Sequence, residues 1–266
     1  MDIIHFNEAV DLLGLKVAIK YRNLNNPTGE LPYHNNKHMD FMLSDCINAY
    51  LYSRILAHQF TLRVPHYHAV CYTAIFHDCD HSGGKLPDSD NIDRAIIFWN
   101  TFVESGTPEW SDIIKATMNI RVPLLLRATQ YPYVPIVEVS TLSKVKYENG
   151  TLFLVPTLVA SANILRDADL MTIYHGQEGI ELVNCGLFEE MSAKDSIYGE
   201  MTYSEYIVKS KAFLDNIKWH SKWGERRAEL MEHTSVVDEV MYDAEYNRDL
   251  QSAFEIIDEH VIIKEN

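Results

Sequence analysis

Apolar residues recur along most of this chain at intervals of three and four, the spacing that lines one face of an α-helix. Residues 7–22 carry Val10, Leu13, Leu15 and Ala18 in this rhythm, with Asn7 placed to cap the helix. Asn25 to Pro32 is mostly polar and contains proline, so it reads as a loop. Met39 to Phe60 returns to helix, with Met42, Ile47, Leu51 and Leu56 among its apolar positions. Pro65 suits the first turn of the next helix, which runs through Val70 and Ile75 to His77. Ser82 to Ser89 is a loop containing Gly and Pro, followed by helices over about 91–104 and 110–128.

Residues 136–156 break the rhythm. Val137, Val139, Val145 and Tyr147 precede Glu148-Asn149-Gly150-Thr151, and Leu152, Phe153, Leu154 and Val155 follow. Asn-Gly between β-rich runs is a hairpin signal, so the pattern predicts a small β-hairpin near residues 138–155. A helix over Leu158 to Tyr174 carries Asp167 and Asp169, and further helices are expected at 177–192, 202–220 and 222–247. Leu250 to Ile263 reads as one more amphipathic helix. The fold class expected is all-α with one inserted hairpin.

Composition narrows the picture. The 266 residues fit one domain, and 47% apolar content is ample for its core. No apolar run approaches the roughly 18 residues that span a bilayer. Met1 to Glu8 lacks the basic-then-apolar profile of a signal peptide. Cys46, Cys71, Cys79 and Cys185 show neither zinc-finger nor disulfide-framework spacing, so a reduced, cytoplasmic protein is expected. A net charge of -15 argues against a nucleic-acid polymer as partner. A small anionic substrate stays open, because bound cations would set the local potential.

The chemistry concentrates in three short segments. His34 and His38 are four residues apart, as are His77 and His81, so each pair shares one face if helical. Asp78 follows His77 directly, and Asp167 and Asp169 lie downstream. Imidazoles and carboxylates together make a mixed nitrogen–oxygen site, suited to Zn, Mn, Fe or Co. A neighbouring carboxylate-and-water site suits Mg or Mn. Such a pair of ions implies metal-assisted hydrolysis of a phosphoester.

These segments resemble the HD-domain metal-dependent phosphohydrolases. Tyr33-His34-Asn35-Asn36-Lys37-His38 is similar to the YHNxxH motif of the class I 3′,5′-cyclic-nucleotide phosphodiesterases. His77-Asp78-Cys79-Asp80-His81, with Gly83 after it, is similar to their HDxDHxG motif, and Ala168-Asp169-Leu170 to their ADL element. The resemblance covers roughly residues 30–225, leaving 226–266 as a helical extension of the single domain. It implies an HD-type helical fold with His38, His77, Asp78 and Asp169 as metal ligands. Asp78 is the natural bridge between two ions, since a carboxylate has two oxygens. The same resemblance makes His34 the general acid and His81 a second histidine near the phosphate. Asn35 would position the loop, and Asp80 would orient a histidine. Asp167 is read equally as a cap or as a functional group.

Ser210-Lys211-Ala212-Phe213 resembles the family's base-binding segment, with Phe213 at the stacking position. Ser210 stands where the family has glutamine, so purine reading by an amide is not expected. Tyr33, Ser210, Phe213 and Lys85 are the candidate substrate contacts, although Lys85 in Gly83-Gly84-Lys85 also fits a solvated loop. Asn91 follows the histidine motif later than the family's asparagine does, an arrangement more like stand-alone microbial or viral HD proteins. The resemblance thus implies a nucleotide phosphohydrolase, first a cyclic-nucleotide phosphodiesterase. The alternatives are a (deoxy)nucleotide phosphomonoesterase or triphosphohydrolase, and a non-catalytic nucleotide sponge.

Overall fold

The structure, a computed structural model, describes residues 14–56, 64–105, 110–133 and 151–233. Its elements are α1 (Lys16–Asn25), α2 (Asn36–Leu56), α3 (Val64–Phe76), α4 (Asp88–Ser105), α5 (Asp112–Thr129) and α6 (Thr151–Leu170). A 3₁₀ turn at Met171–Tyr174 leads into α7 (Gly176–Glu181), a π-helical segment (Leu182–Leu187) and α8 (Phe188–Met191). Then come α9 (Tyr203–Leu214) and α10 (Lys222–His233). Among the described residues there is no strand. No helix there is long and apolar enough to cross a membrane.

Helix α3 is the hub. Every residue from Ala69 to Phe76 is buried, so this helix is covered on all sides, as an apolar-all-round helix must be. It packs on α1, α2, α4, α5 and α6. Tyr72 and Phe76 stack against Phe98, Trp99 and Phe102 of α4, with ring centroids 5.0–6.3 Å apart. These tilted and edge-on contacts are the geometry that aromatic quadrupoles favour. Because α3 is clamped in this way, the turn that follows it, His77 to Asp80, starts from a fixed point.

The expected hairpin is corrected in its second half. Residues 151–155 lie in α6, which runs unbroken to Leu170. A short continuous apolar run such as Leu152–Val155 carries no period that separates strand from helix, and here the helix continues through it. The first strand and the Asn149-Gly150 turn lie outside the described residues, as do residues 1–13 and the extension beyond His233.

Asp167 resolves as a cap. Its Oδ1 accepts the backbone N–H of His220, and its Oδ2 accepts both the N–H and the hydroxyl of Ser221, all at 2.6–2.8 Å. It thus ties the start of α10 to α6, and Gly224 sits so close that an added Cβ would lie 2.4 Å from the carboxylate. Asp167→Ala would leave these part-buried donors without their acceptor, at a cost of roughly 1–3 kcal/mol. Chemical denaturation should show that loss, with bound metal unchanged, because two residues along a helix separate Asp167 from the face of Asp169.

Candidate metal and acid–base site

The loop before α2 is built from both ends. Asn35 caps α2: its Oδ1 accepts the His38 N–H at 3.1 Å and its Nδ2 donates to the Pro32 carbonyl at 2.9 Å. Buried Arg22 of α1 donates to the Asn36 side chain and to the Asn35 carbonyl. His38 therefore enters the core on the first turn of a fixed helix, and His34 is held one turn earlier in the loop.

Four donor atoms converge. His77 Nε2 lies 2.7 Å from Asp78 Oδ2 and 4.0 Å from Asp169 Oδ1. His38 Nε2 lies 3.2 Å from Asp78 Oδ2 and 3.1 Å from Asp169 Oδ1, and the two Nε2 atoms are 3.3 Å apart. Ligands held about 2.0–2.2 Å from one ion sit about 2.8–3.6 Å from each other, which the His38, His77 and Asp78 atoms approach, while Asp169 flanks the group on the His38 side. The outward nitrogens support the same reading. His77 Nδ1 faces the Ala74 carbonyl at 2.8 Å, which can only accept, so that nitrogen carries the proton. His38 Nδ1 faces the Thr172 hydroxyl at 2.9 Å, and that hydroxyl donates to the Asp169 carbonyl. When neutral, both rings point the lone pairs of Nε2 at carboxylate oxygens. Asp78 Oδ2 is buried, and the two ring nitrogens are the polar atoms that face it. Two imidazole nitrogens around one buried carboxylate oxygen fit a cation.

Without an ion, protons take its place. Burial disfavours charge on His38, but hydrogen bonds to Asp169 and Asp78 and their negative charge outweigh it and lift its pKa to about 9. Burial likewise opposes charge on Asp78, yet the charges of His77 and His34 hold its carboxyl well below the usual range. A divalent ion would displace those protons.

Beside this cluster lies an acid–base pair that sequence reasoning missed. Glu190 of α8 is buried, and its Oε2 lies 2.6 Å from His34 Nδ1. Its Oε1 accepts the backbone N–H of Tyr33 at 2.6 Å and of His34 at 3.0 Å. Burial alone would lower the His34 pKa, but the charge of Asp78 and the bond to Glu190 raise it above its ordinary value. Burial pushes Glu190 up, and the bond to His34 more than reverses this, holding it below its ordinary value. The two shifts agree: His34 is the protonated member, with Nε2 left toward the cavity it lines.

His81 stacks on His34 with centroids 3.6 Å apart. Asn91 Oδ1 accepts the Ser82 N–H, which turns its amide nitrogen to His81 Nε2 at 3.0 Å, while the Gly83 N–H points at Nδ1. Both ring nitrogens face N–H groups, so a second proton is disfavoured. Burial first, then the charge of His34, pushes its pKa down to about 3. His34, His81 and Glu190 also fall within reach of a single ion. The short hydrogen bond between His34 and Glu190 and the stacked rings make them an acid–base group instead.

The π-helical segment is what lets Glu190 reach. Gly186 passes so close to the loop that an added Cβ would meet the Pro32 carbonyl oxygen at 2.4 Å. Gly186→Ala should push α8 off the loop, costing about 1–3 kcal/mol. In a thermal melt this appears as a lowered Tm. The same shift lengthens the bond between His34 and Glu190, so the His34 pKa should fall in an NMR titration.

Other expectations land as follows. Tyr33 packs on the rings of His34 and His38 with centroids 4.8 and 4.5 Å away, and it lines the cavity. Ser210 and Phe213 of α9 line it too, and Phe213 is 42% exposed, so it is not a core residue. Lys85 does not join the lining residues and pairs with Asp195 on the surface at 2.8 Å. Asp80 orients no histidine: it makes two bonds to Arg94, at 2.6 and 2.9 Å, from a left-handed backbone (φ 58°). His175 lies 2.6 Å from buried Asp45 of α2 and stacks on Phe41. That pair ties the segment after Asp169 to the helix that carries His38.

The residues enclose a cavity of about 400 Å³, within the size range of small-molecule sites. His77, Asp78, Asp169 and His34 line it together with Tyr131, Tyr198 and Phe213, and buried His38 lies behind them. Comparison with protein-family models, curated proteins and solved structures finds no match to this chain.

Proposed function

We propose that this protein is a metal-dependent phosphohydrolase of the HD type that cleaves a nucleotide phosphoester, first of all as a cyclic-nucleotide phosphodiesterase. The observation that carries this reading is the convergence of His38, His77, Asp78 and Asp169 beside the His34–Glu190 pair, in one cavity. His38, His77, Asp78 and Asp169 would hold one ion, and Asp78 would be shared with a second. Bound there, the ions would neutralise phosphate charge and make a water nucleophilic near neutral pH.

The chain's own groups supply the rest. Hydrolysis adds a water oxygen to phosphorus and breaks the bond to the leaving oxygen, which then needs a proton. His34 is placed to give it from Nε2, because Glu190 holds Nδ1 and keeps the ring protonated. Neutral His81, packed flat on His34, limits how far that ring can swing. A nucleotide sponge has no need of a buried carboxylate that keeps an imidazole charged, so the pair favours turnover over simple capture.

The test is a metal-supplemented screen. Metal-free protein is given Zn, Mn, Fe, Co or Mg and offered cyclic, linear and 5′-phosphorylated nucleotides, with products identified by chromatography. A linear monophosphate released from a cyclic nucleotide is the expected product. Inorganic phosphate or triphosphate instead would select the monoesterase or triphosphohydrolase alternative. No product with any metal would refute the proposal.

A further inference from the structure

The end of the cavity that holds Phe213 has its own chemistry. Asp88 opens α4 and lines the cavity. Its Oδ2 accepts the backbone N–H of Tyr131 at 2.5 Å. Among the described residues Oδ1 has no hydrogen-bond partner. Burial pushes the Asp88 pKa up to about 6, and the charges of Asp78 and Asp169 add to this, so it shares their cavity and is still mostly ionised above neutral pH.

Aromatic rings line the cavity with this carboxylate. The Tyr131 ring meets Phe213 edge-on with centroids 6.1 Å apart, and Tyr133 on its other side at 5.7 Å. Tyr198 is near enough for the charge of Asp88 to raise its pKa. Lys209, one helical turn before Phe213, lines the same cavity. A negative helix-start residue is ordinary in itself. A partly desolvated carboxylate with a free oxygen, set among aromatic rings in a cavity, calls for a flat ligand with paired donors on its edge.

Resting on the phosphohydrolase reading, we propose that Asp88 selects guanine nucleotides by accepting hydrogen bonds from the N1–H and N2 amino group of a base stacked at Phe213. Guanine is the common base with two adjacent donors on its pairing edge. Adenine and cytosine place one donor beside an acceptor, and uracil places one donor between two acceptors. An ionised carboxylate meets those acceptors with repulsion. Lys209 supplies a donor for the guanine O6. The site thereby replaces the amide that Ser210 lacks with a carboxylate on a different helix.

The experiment measures equilibrium binding of GMP, IMP, AMP and XMP to metal-free protein at pH 7.5 by titration calorimetry, beside hydrolysis of the cyclic nucleotides with metal. The expected order is GMP first, then IMP, which lacks the amino group, then AMP, with GMP over AMP on the order of 10- to 100-fold. Asp88→Asn keeps an acceptor for the Tyr131 N–H. It should lose GMP affinity by a similar factor and gain XMP, because its amide now donates to the xanthine O2. Phe213→Ala should weaken all four alike. Equal affinity for GMP and AMP, or unchanged GMP affinity in a folded Asp88→Asn, would overturn the proposal. Hydrolysis of every cyclic nucleotide at one rate would sink the base reading and leave the phosphohydrolase standing. Guanine-selective binding with no hydrolysis under any metal would do the reverse, and neither binding nor hydrolysis would end both.

Discussion

Asp78→Ala should abolish turnover and metal retention together. Its Oδ2 stands 2.7 Å from His77 Nε2 and 3.2 Å from His38 Nε2. Removing it takes away the carboxylate between the two imidazoles, and with it the oxygen a second ion would share. Two neutral nitrogens and Asp169 would remain, one ligand and one negative charge fewer to hold a divalent ion. Elemental analysis of the purified variant should find less than a tenth of the wild-type metal. The thermal stabilisation that added metal confers on the wild type, about 2.7 kcal/mol at a hundredfold excess over Kd, should vanish as well. Asp167→Ala is the matching control: it removes a carboxylate two residues from Asp169 and should lower stability with the metal kept. Full metal content in Asp78→Ala would mean that the ion, if one binds, sits elsewhere.

His34→Ala should separate metal from chemistry. Its Nδ1 is bound to Glu190 and its ring lies flat on His81, so it is not among the four converging donors. Metal should stay at the wild-type level while turnover drops by ~10²-fold or more, the scale of a lost general acid. Glu190→Gln tests the same pair by pH. The His34 pKa is raised in the folded chain, so its proton is fully in place below about 6.5 and is lost as pH rises through the raised value. In the wild type kcat/KM should therefore fall on that alkaline side. With the Glu190 charge gone, the fall should begin at lower pH. Stability follows the same logic. The contribution of His34 is present below its unfolded pKa and lost as pH rises through its folded one. That of Glu190, whose pKa is depressed, is present above its unfolded pKa and lost as pH falls through its folded one. The Tm deficit of Glu190→Gln should peak between those two values. A pH profile identical to the wild type would refute the coupling of Glu190 to His34.

The site was legible in the sequence to the extent that its geometry is local. His38 and His77 each sit at the junction of a helix and its flanking turn, and Asp78 is the neighbour of His77, so short motifs specify them. Asp169 follows because a helix covers residues 158–170, where the apolar spacing is strong. Partners assigned by motif alone fared unevenly. Asn35 does hold its loop, while Asp80 turned out to bind Arg94 rather than a histidine. The hairpin illustrates the opposite weakness: Asn-Gly and four apolar residues are a local signal, and the helix that contains residues 151–155 is maintained over twenty residues.

What the sequence by itself determined was the helical class and the identity and spacing of the four metal-binding candidates. The class rests on periods of three and four, which backbone geometry imposes on any chain, and the candidates rest on the short motifs that resemble the HD phosphohydrolases. Only the tertiary structure decided which groups surround them. Glu190 reaches His34 across 156 residues, Asp45 reaches His175 across 130, and Asp88 meets Tyr131 across 43. It also decided which ring nitrogens are bare, since that depends on the Ala74 carbonyl and the Thr172 hydroxyl that happen to face the others. Such contacts have no period along the chain. They arise where α3 is buried by its neighbours and where Gly186 lets two backbones touch, and packing alone brings those surfaces together.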